Sequence, residues 1–216
     1  MGQTLIPRFI ANTLRTLRSG APLRAVLIGL SLLLAFLSIS PVSAATPVSG
    51  TISSPETWTL ANSPYAVTGN VLVESGVTLT IEAGVTVKFD SGTGLQIKGE
   101  LLARGTSVSP IVFTSSQSSP AKGDWAAIDF FDQATDAVFD GNGDYASGSI
   151  IEYAQIRYGG GGGKSAAVTA TNAALFLNQL TVDYSDTSGI AVIGVVVLSG
   201  GGTIPVTKIT NSTLNS

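Results

Sequence analysis

The side chains in this 216-residue chain that could do chemistry crowd into one window. Between Asp124 and Glu152 stand seven acids, Asp124, Asp129, Asp132, Asp136, Asp140, Asp144 and Glu152, with no Lys or Arg among them. Like charges at that density repel unless water or a cation intervenes. Within the window, Asp140-Gly-Asn-Gly-Asp144 sets oxygen-bearing side chains at alternate positions of a Gly-rich turn. Ca2+ takes carboxylate and amide oxygens, and glycines let a chain wrap closely around it. Asp140, Asn142 and Asp144 are therefore the expected metal ligands, with Ca2+ as the expected ion and no other cofactor. The segment is not an EF-hand: Tyr145 occupies the sharp-turn glycine position, and Glu152 falls one place late. The competing reading is a solvated loop in which Asp and Asn satisfy turn backbone.

Other constellations are weaker. Glycosidase chemistry needs two carboxyl groups about 5–9.5 Å apart, and Asp129 and Glu152 could face each other from neighbouring coils. Lyase chemistry needs a Lys or Arg base beside an acid-bound metal. Arg104, Lys122, Arg157 and Lys164 are the nearest candidates, and Arg157, before Tyr158 on a repeating strand, is expected to point outward. Neither set forms a recognisable motif, so no catalytic residue is assigned. Five glycines, Gly159 to Gly163, precede Lys164-Ser165, but without a following helix signal they do not make a phosphate loop. They are expected to form a flexible turn leaving a coil. Trp58, Trp125, Tyr145, Tyr153 and Tyr158 could stack on sugars if exposed, although Trp125 lies in an apolar strand and is expected to pack in the core or at an edge. His is absent, which removes imidazole bases, Ser-His-Asp triads and His-ligated zinc.

These residues must be positioned by strands. From Tyr65 onward the chain alternates apolar and polar residues in short runs between Gly, Asn, Asp and Ser turns: Val71-Leu72-Val73, Val77 to Ile81, Val85 to Phe89, Leu95-Gln96-Ile97 and Ile111-Val112-Phe113. Alternation with β-branched residues reads as strand. Leu79, Ile81, Val87, Phe89, Leu95, Ile97, Ile111 and Phe113 are predicted to point inward. The runs also repeat. Leu79 and Leu101, and Phe89 and Ile111, are each 22 apart; Gln155 to Tyr158 is echoed 26 residues later by Thr181 to Tyr184, and again 32 further on at Thr213 to Ser216. A period in the low-to-mid twenties signals a solenoid, with about three short strands per coil and corresponding strands stacked in parallel. A β-sandwich is the rival, but it favours Asn-Gly or Asp-Gly hairpins, and only Asp140-Gly141 fits.

The segments Ser63 to Phe89, Gly94 to Thr106, Pro110 to Ser115, Gly123 to Ile128 and Ser149 to Gly159 resemble the coils of bacterial right-handed parallel β-helix proteins of the pectin-lyase-like superfamily. The likeness spans residues 55 to about 190. It implies an all-β, right-handed parallel β-helix solenoid, and it fixes no activity, because lyases, hydrolases and adhesins share this scaffold.

The N-terminus reads as an export signal. Arg8, Arg15, Arg18 and Arg24 precede an unbroken apolar run from Ala25 to Ser40; Pro41 follows, and Val42-Ser43-Ala44 offers small residues for cleavage. The run is shorter than the ~20 residues a membrane span needs, and no later segment could span a bilayer. The expected organisation is a signal peptide over 1–44, a lead-in or N-terminal cap over 45–64, and the β-helix over 65–216. The end at Ile209 to Ser216 reads as the start of another coil, so the helix is expected to be incomplete there, or to self-associate end to end. After cleavage, seven Lys and Arg face fourteen Asp and Glu, a net charge of −7. That balance disfavours nucleic acid and anionic membranes. Cys is absent, so core burial must carry stability. The expectation is a secreted or cell-surface, non-catalytic scaffold for adhesion or polysaccharide contact. The alternative is the N-terminal part of a polysaccharide lyase or glycoside hydrolase with its active site on coils beyond residue 216.

Overall fold

Alternating burial is the local rule from which the architecture grows. In β4 (Thr78–Ile81) and β5 (Thr86–Phe89) every second side chain is buried and the others are partly exposed, as a pleated strand with one face against a core requires. Such three- to five-residue strands cannot bury an apolar face alone, so they stack. The computed structural model describes residues 44–193 and 207–215. The export signal expected over residues 1–44 lies outside the described residues, Ala44 excepted. The expected coil start keeps all but Ser216 among them.

The chain winds through three faces per coil. On the first face, β1 (Thr46–Ile52), β3 (Tyr65–Val73), β5, β8 (Ile111–Ser115), β12 (Ile150–Arg157), β14 (Phe176–Asp183) and β17 (Thr213–Leu214) pair in parallel. On the second face the C-terminal halves of β1 and β3 continue to β6 (Leu95–Ile97), β9 (Ile128–Phe130), β13 (Ala166–Thr171) and β15 (Ser188–Ile193). The third face stacks β2 (Glu56–Trp58), β4, β7 (Glu100–Arg104), the N-terminal halves of β12 and β14, and β16 (Lys208–Thr210). Because β1, β3, β12 and β14 each turn a corner, the faces join as one 15-stranded sheet. This is a parallel β-helix. The stretch 45–64, read as a lead-in, carries β1 and β2 and places Trp58 fully in the core.

The repeats fall into register with one exception. Leu79 lies beside Leu101, 22 positions on. Gln155 lies beside Thr181, 26 on, and Thr181 beside Thr213, 32 on. Phe89, however, pairs with Ser115 rather than Ile111, an offset of 26. The added residues form a small turn closed by reciprocal Thr106–Ser109 backbone hydrogen bonds.

All eight residues predicted inward, from Leu79 to Phe113, are at most 1% exposed. Trp125 stacks on Phe89 with ring centroids 4.2 Å apart, and its indole N–H donates to the Arg157 carbonyl at 2.7 Å. A buried indole needs such an acceptor. Corners are cut by single left-handed residues: Tyr153, Gln179 and Asn211, at φ 47°, 55° and 48°, turn successive coils from the third face to the first.

A cleft on the second face

The glycine run leads into the candidate site, which its last residue, Gly163, lines. Gly159 to Gly161 are packed, unlike the flexible turn expected from composition, whereas Gly162 and Gly163 are exposed. A Cβ on Gly159 would lie 2.8 Å from the Trp125 ring, and one on Gly161 would lie 1.9 Å from the Gly123 carbonyl oxygen. The backbone is pinned as well: Gly160 N–H donates to Ala126 O at 2.7 Å, and Gly161 N–H to Trp125 O at 3.0 Å. Only residues without a Cβ allow neighbouring coil turns to approach so closely. Lys164 N–H then donates to Gly161 O at 3.1 Å. This turn brings the Lys164 side chain back over β9.

There it meets Asp129. The pleat points Ile128 and Phe130 into the core and Asp129 outward, between Gln96 of β6 and Thr169 of β13 in register. Asp129 is nonetheless only 7% exposed. A carboxylate so enclosed must be paired and hydrogen-bonded. Lys164 Nζ lies 2.6 Å from Oδ2, and the Thr169 hydroxyl donates to Oδ1. Asp129, Lys164 and Thr169 line a cleft of about 280 Å3 together with Gly163, Ser165, Phe131, Thr171 and Ile193. Lys98 Nζ stands 5.9 Å from the centroid of the Phe131 ring. The cleft is amphipathic: its lining combines a mutually neutralised ion pair and hydroxyls with an aromatic ring and an aliphatic chain. Such a surface can exchange hydrogen bonds and cover an apolar ring face.

Residues 50–177 match the family described as the pectate-lyase-like β-helix domain. The chain belongs to that family. The match runs from β1 into β14 and includes Asp129, Lys164 and Thr169. No curated protein and no solved structure matches the chain. Membership makes it a β-helix protein of a carbohydrate-related family.

Within this β-helix family member, the acids of the sequence window separate. Asp129 and Glu152 do not face each other, because β9 pairs with β6 and β13 whereas the start of β12 pairs with β7 and β14. Glu152 is held on the third face by Arg104, at 3.1 Å, and by the Asn178 side-chain amide, which donates to Oε1 at 2.8 Å. Arg157 points outward, with its Nε 3.8 Å from Asp183, long enough that this nitrogen makes no hydrogen bond. Asp124 accepts from the Ser115 hydroxyl at 2.7 Å and from Ala121 N–H at 2.9 Å, bracing a turn.

The Asp140–Asp144 segment is the tip of an antiparallel hairpin formed by β10 (Val138–Phe139) and β11 (Tyr145–Ser147). Asp140 Oδ1 accepts backbone N–H groups from Asn142, at 2.8 Å, and Asp144, at 2.9 Å. The Asp144 and Asn142 backbone bonds hold the Asp140 carboxyl below its ordinary pKa of 3.8. Among the described residues, no three His, Cys, Asp or Glu side chains gather so as to hold a metal ion. Below the tip, Tyr145 stacks on Phe176 at 5.5 Å and Phe139 meets the same ring edge-on at 5.7 Å. Burial, then the neighbouring Glu100 charge, pushes the Tyr145 phenol above its usual value. Trp58 and Trp125 are fully buried, so these two of the expected sugar platforms serve the core.

Sequence reasoning ranked Asp129 and Lys164 separately and missed Thr169 and Phe131. Asp129 and Thr169 lie 40 positions apart, well off the period of the low-to-mid twenties. The loops inserted in this coil hide the register that brings them together.

Proposed function

We propose that this protein is an exported, non-catalytic β-helix scaffold, secreted or held at the cell surface, that contacts polysaccharide through the Asp129–Lys164–Thr169 cleft. The observation that carries the reading is the mutual satisfaction of the charged groups in the cleft. Both Asp129 oxygens are engaged, one by Lys164 and one by Thr169, and Glu152 is tied to Arg104 and Asn178 on another face. A glycosidase needs two carboxyls flanking one bond, and a lyase needs an unpaired base. The pairing instead suits recognition, where fixed donors and acceptors meet hydroxyl groups without proton transfer. Export is supported by the Arg-rich N-terminus and the apolar run from Ala25 to Ser40.

The test is to incubate the chain from Ala45 onward with a panel of polysaccharides. Retention in affinity electrophoresis and release of reducing or unsaturated ends are then measured together. Retention without new chain ends is expected, and cleavage by this chain would overturn the non-catalytic reading. A second reading places catalysis on coils beyond residue 216. The same product assay on a longer protein containing this chain would then show cleavage.

A further inference from the structure

Resting on that reading, we infer that the cleft takes a single neutral pyranose unit of a polysaccharide and discriminates against uronates. Its volume of about 280 Å3 sits at the lower edge of the ~300–1,000 Å3 typical of small-molecule pockets, which suits one sugar ring of a passing chain. A pyranose presents C–H groups on its ring faces and hydroxyls around its rim. Phe131 and Ile193 offer the apolar wall such a face would cover. In the same lining, Asp129 accepts hydrogen bonds, Lys164 donates, Ser165 does either, and Thr169, whose O–H already goes to Asp129, accepts.

Charge selects between neutral and acidic sugars. The cation nearest the Asp129 carboxylate, Lys164, is already paired with it at 2.6 Å. A uronate carboxylate entering there would compete with Asp129 for one ammonium and bring two negative charges together. Lys98 stands over the Phe131 ring, its Nζ 5.9 Å from the centroid, and cation–π contact there holds it against the wall a sugar face would cover. The net charge of −7 over residues 45–216, seven Lys and Arg against fourteen Asp and Glu, adds a long-range repulsion toward polyanions. A hydroxyl-bearing neutral ring incurs none of these costs.

The experiment is calorimetric titration of the chain from Ala45 onward with neutral gluco- and manno-oligosaccharides and, separately, with oligogalacturonate. At least one neutral series should bind. Asp129→Asn and Phe131→Ala should each weaken it by about tenfold or more, as loss of a charged hydrogen bond or a stacking face implies. Oligogalacturonate should bind at least about tenfold more weakly than the best neutral ligand. Lys164→Gln, at a partly exposed position, supplies a second cleft variant if Asp129→Asn fails to fold, as judged by its melting curve. Tighter binding of oligogalacturonate that the cleft variants abolish would overturn the ligand class while leaving polysaccharide contact standing. Neutral binding unaffected by every cleft variant would overturn the site. No binding to either series would overturn the proposed function together with this inference.

Discussion

Asp129 and Glu152 begin alike and end in different roles. Both are outward-facing acids of the same coil, and each acquires a cation within hydrogen-bonding distance. Glu152 draws its partners from strands in register: Arg104 from the coil before and Asn178 from the coil after. Asn178 in turn accepts from Thr210 at 2.8 Å, so a polar ladder climbs the third face. The Arg104 side chain is 56% exposed, and such pairs contribute little net stability. Asp129 draws its cation from a loop instead; its side chain is 10% exposed against 15% for Glu152, and Lys164 is 35% exposed against 56% for Arg104. A partner supplied by register ties neighbouring coils together. A partner supplied by a loop folds over the sheet and encloses a space. The difference lies in where the cation comes from, since the ion-pair chemistry is the same.

The harshest test removes what both faces share. Phe89 is fully buried and packs against Trp125 and Phe113. Truncation to Ala should cost about 3–5 kcal/mol in denaturant unfolding, loosening the Glu152 ladder and the cleft together. Gly161→Ala should separate them. Its Cβ would collide with the Gly123 carbonyl, costing toward the upper end of the ~1–3 kcal/mol typical of overpacking. It should abolish glycan retention while leaving the Arg104–Glu152 ladder formed.

The two acids can then be compared directly. Asp129→Ala leaves the Lys164 ammonium and the Thr169 hydroxyl without their shared partner, for an expected loss of about 1–3 kcal/mol. Glu152→Ala, which loses the Arg104 pair and the Asn178 hydrogen bond, should cost about 0.5–1.5 kcal/mol. Urea midpoints of the two variants measure the contrast. Equal losses would erase the distinction between a register tie and a cleft floor.

The smallest effect belongs to the hairpin tip. The Asp140 carboxyl titrates below its unfolded value of 3.8 because Asp144 and Asn142 donate backbone hydrogen bonds to it. The stability it contributes is therefore fully present above that unfolded value and is lost as pH falls through the lower folded value. The difference in melting temperature between the native chain and Asp140→Asn should shrink over that acidic range. A Ca2+ ion held by Asp140, Asn142 and Asp144, the remaining proposal for this turn, would take Asp140 through Oδ2, because Oδ1 accepts two N–H groups. A melting temperature independent of calcium would leave the solvated turn standing. A rise that tracks calcium concentration and disappears in the Asp140→Asn, Asp144→Asn double variant would establish the ion instead.

Period and alternation made most of the helix legible in advance. Residues such as Leu79, Val87, Leu95 and Phe113 announce their inward direction locally, because a strand sends every second side chain the same way. The 22-residue offset of Leu79 and Leu101 announces the stacking. These are short-range properties, determined by the residues themselves. The cleft is different in kind. Asp129 meets Thr169 across 40 positions and Lys164 across a turn whose path depends on glycines fitting beneath Trp125. Loop insertions break the period there, so no local pattern connects these residues. The separation of Asp129 from Glu152 had the same cause: both lie in one acidic window, but the coil turns a corner between them. Composition could thus place seven acids in a single stretch, whereas only the winding of the chain decided which became a turn brace, a ladder rung or the floor of a cleft.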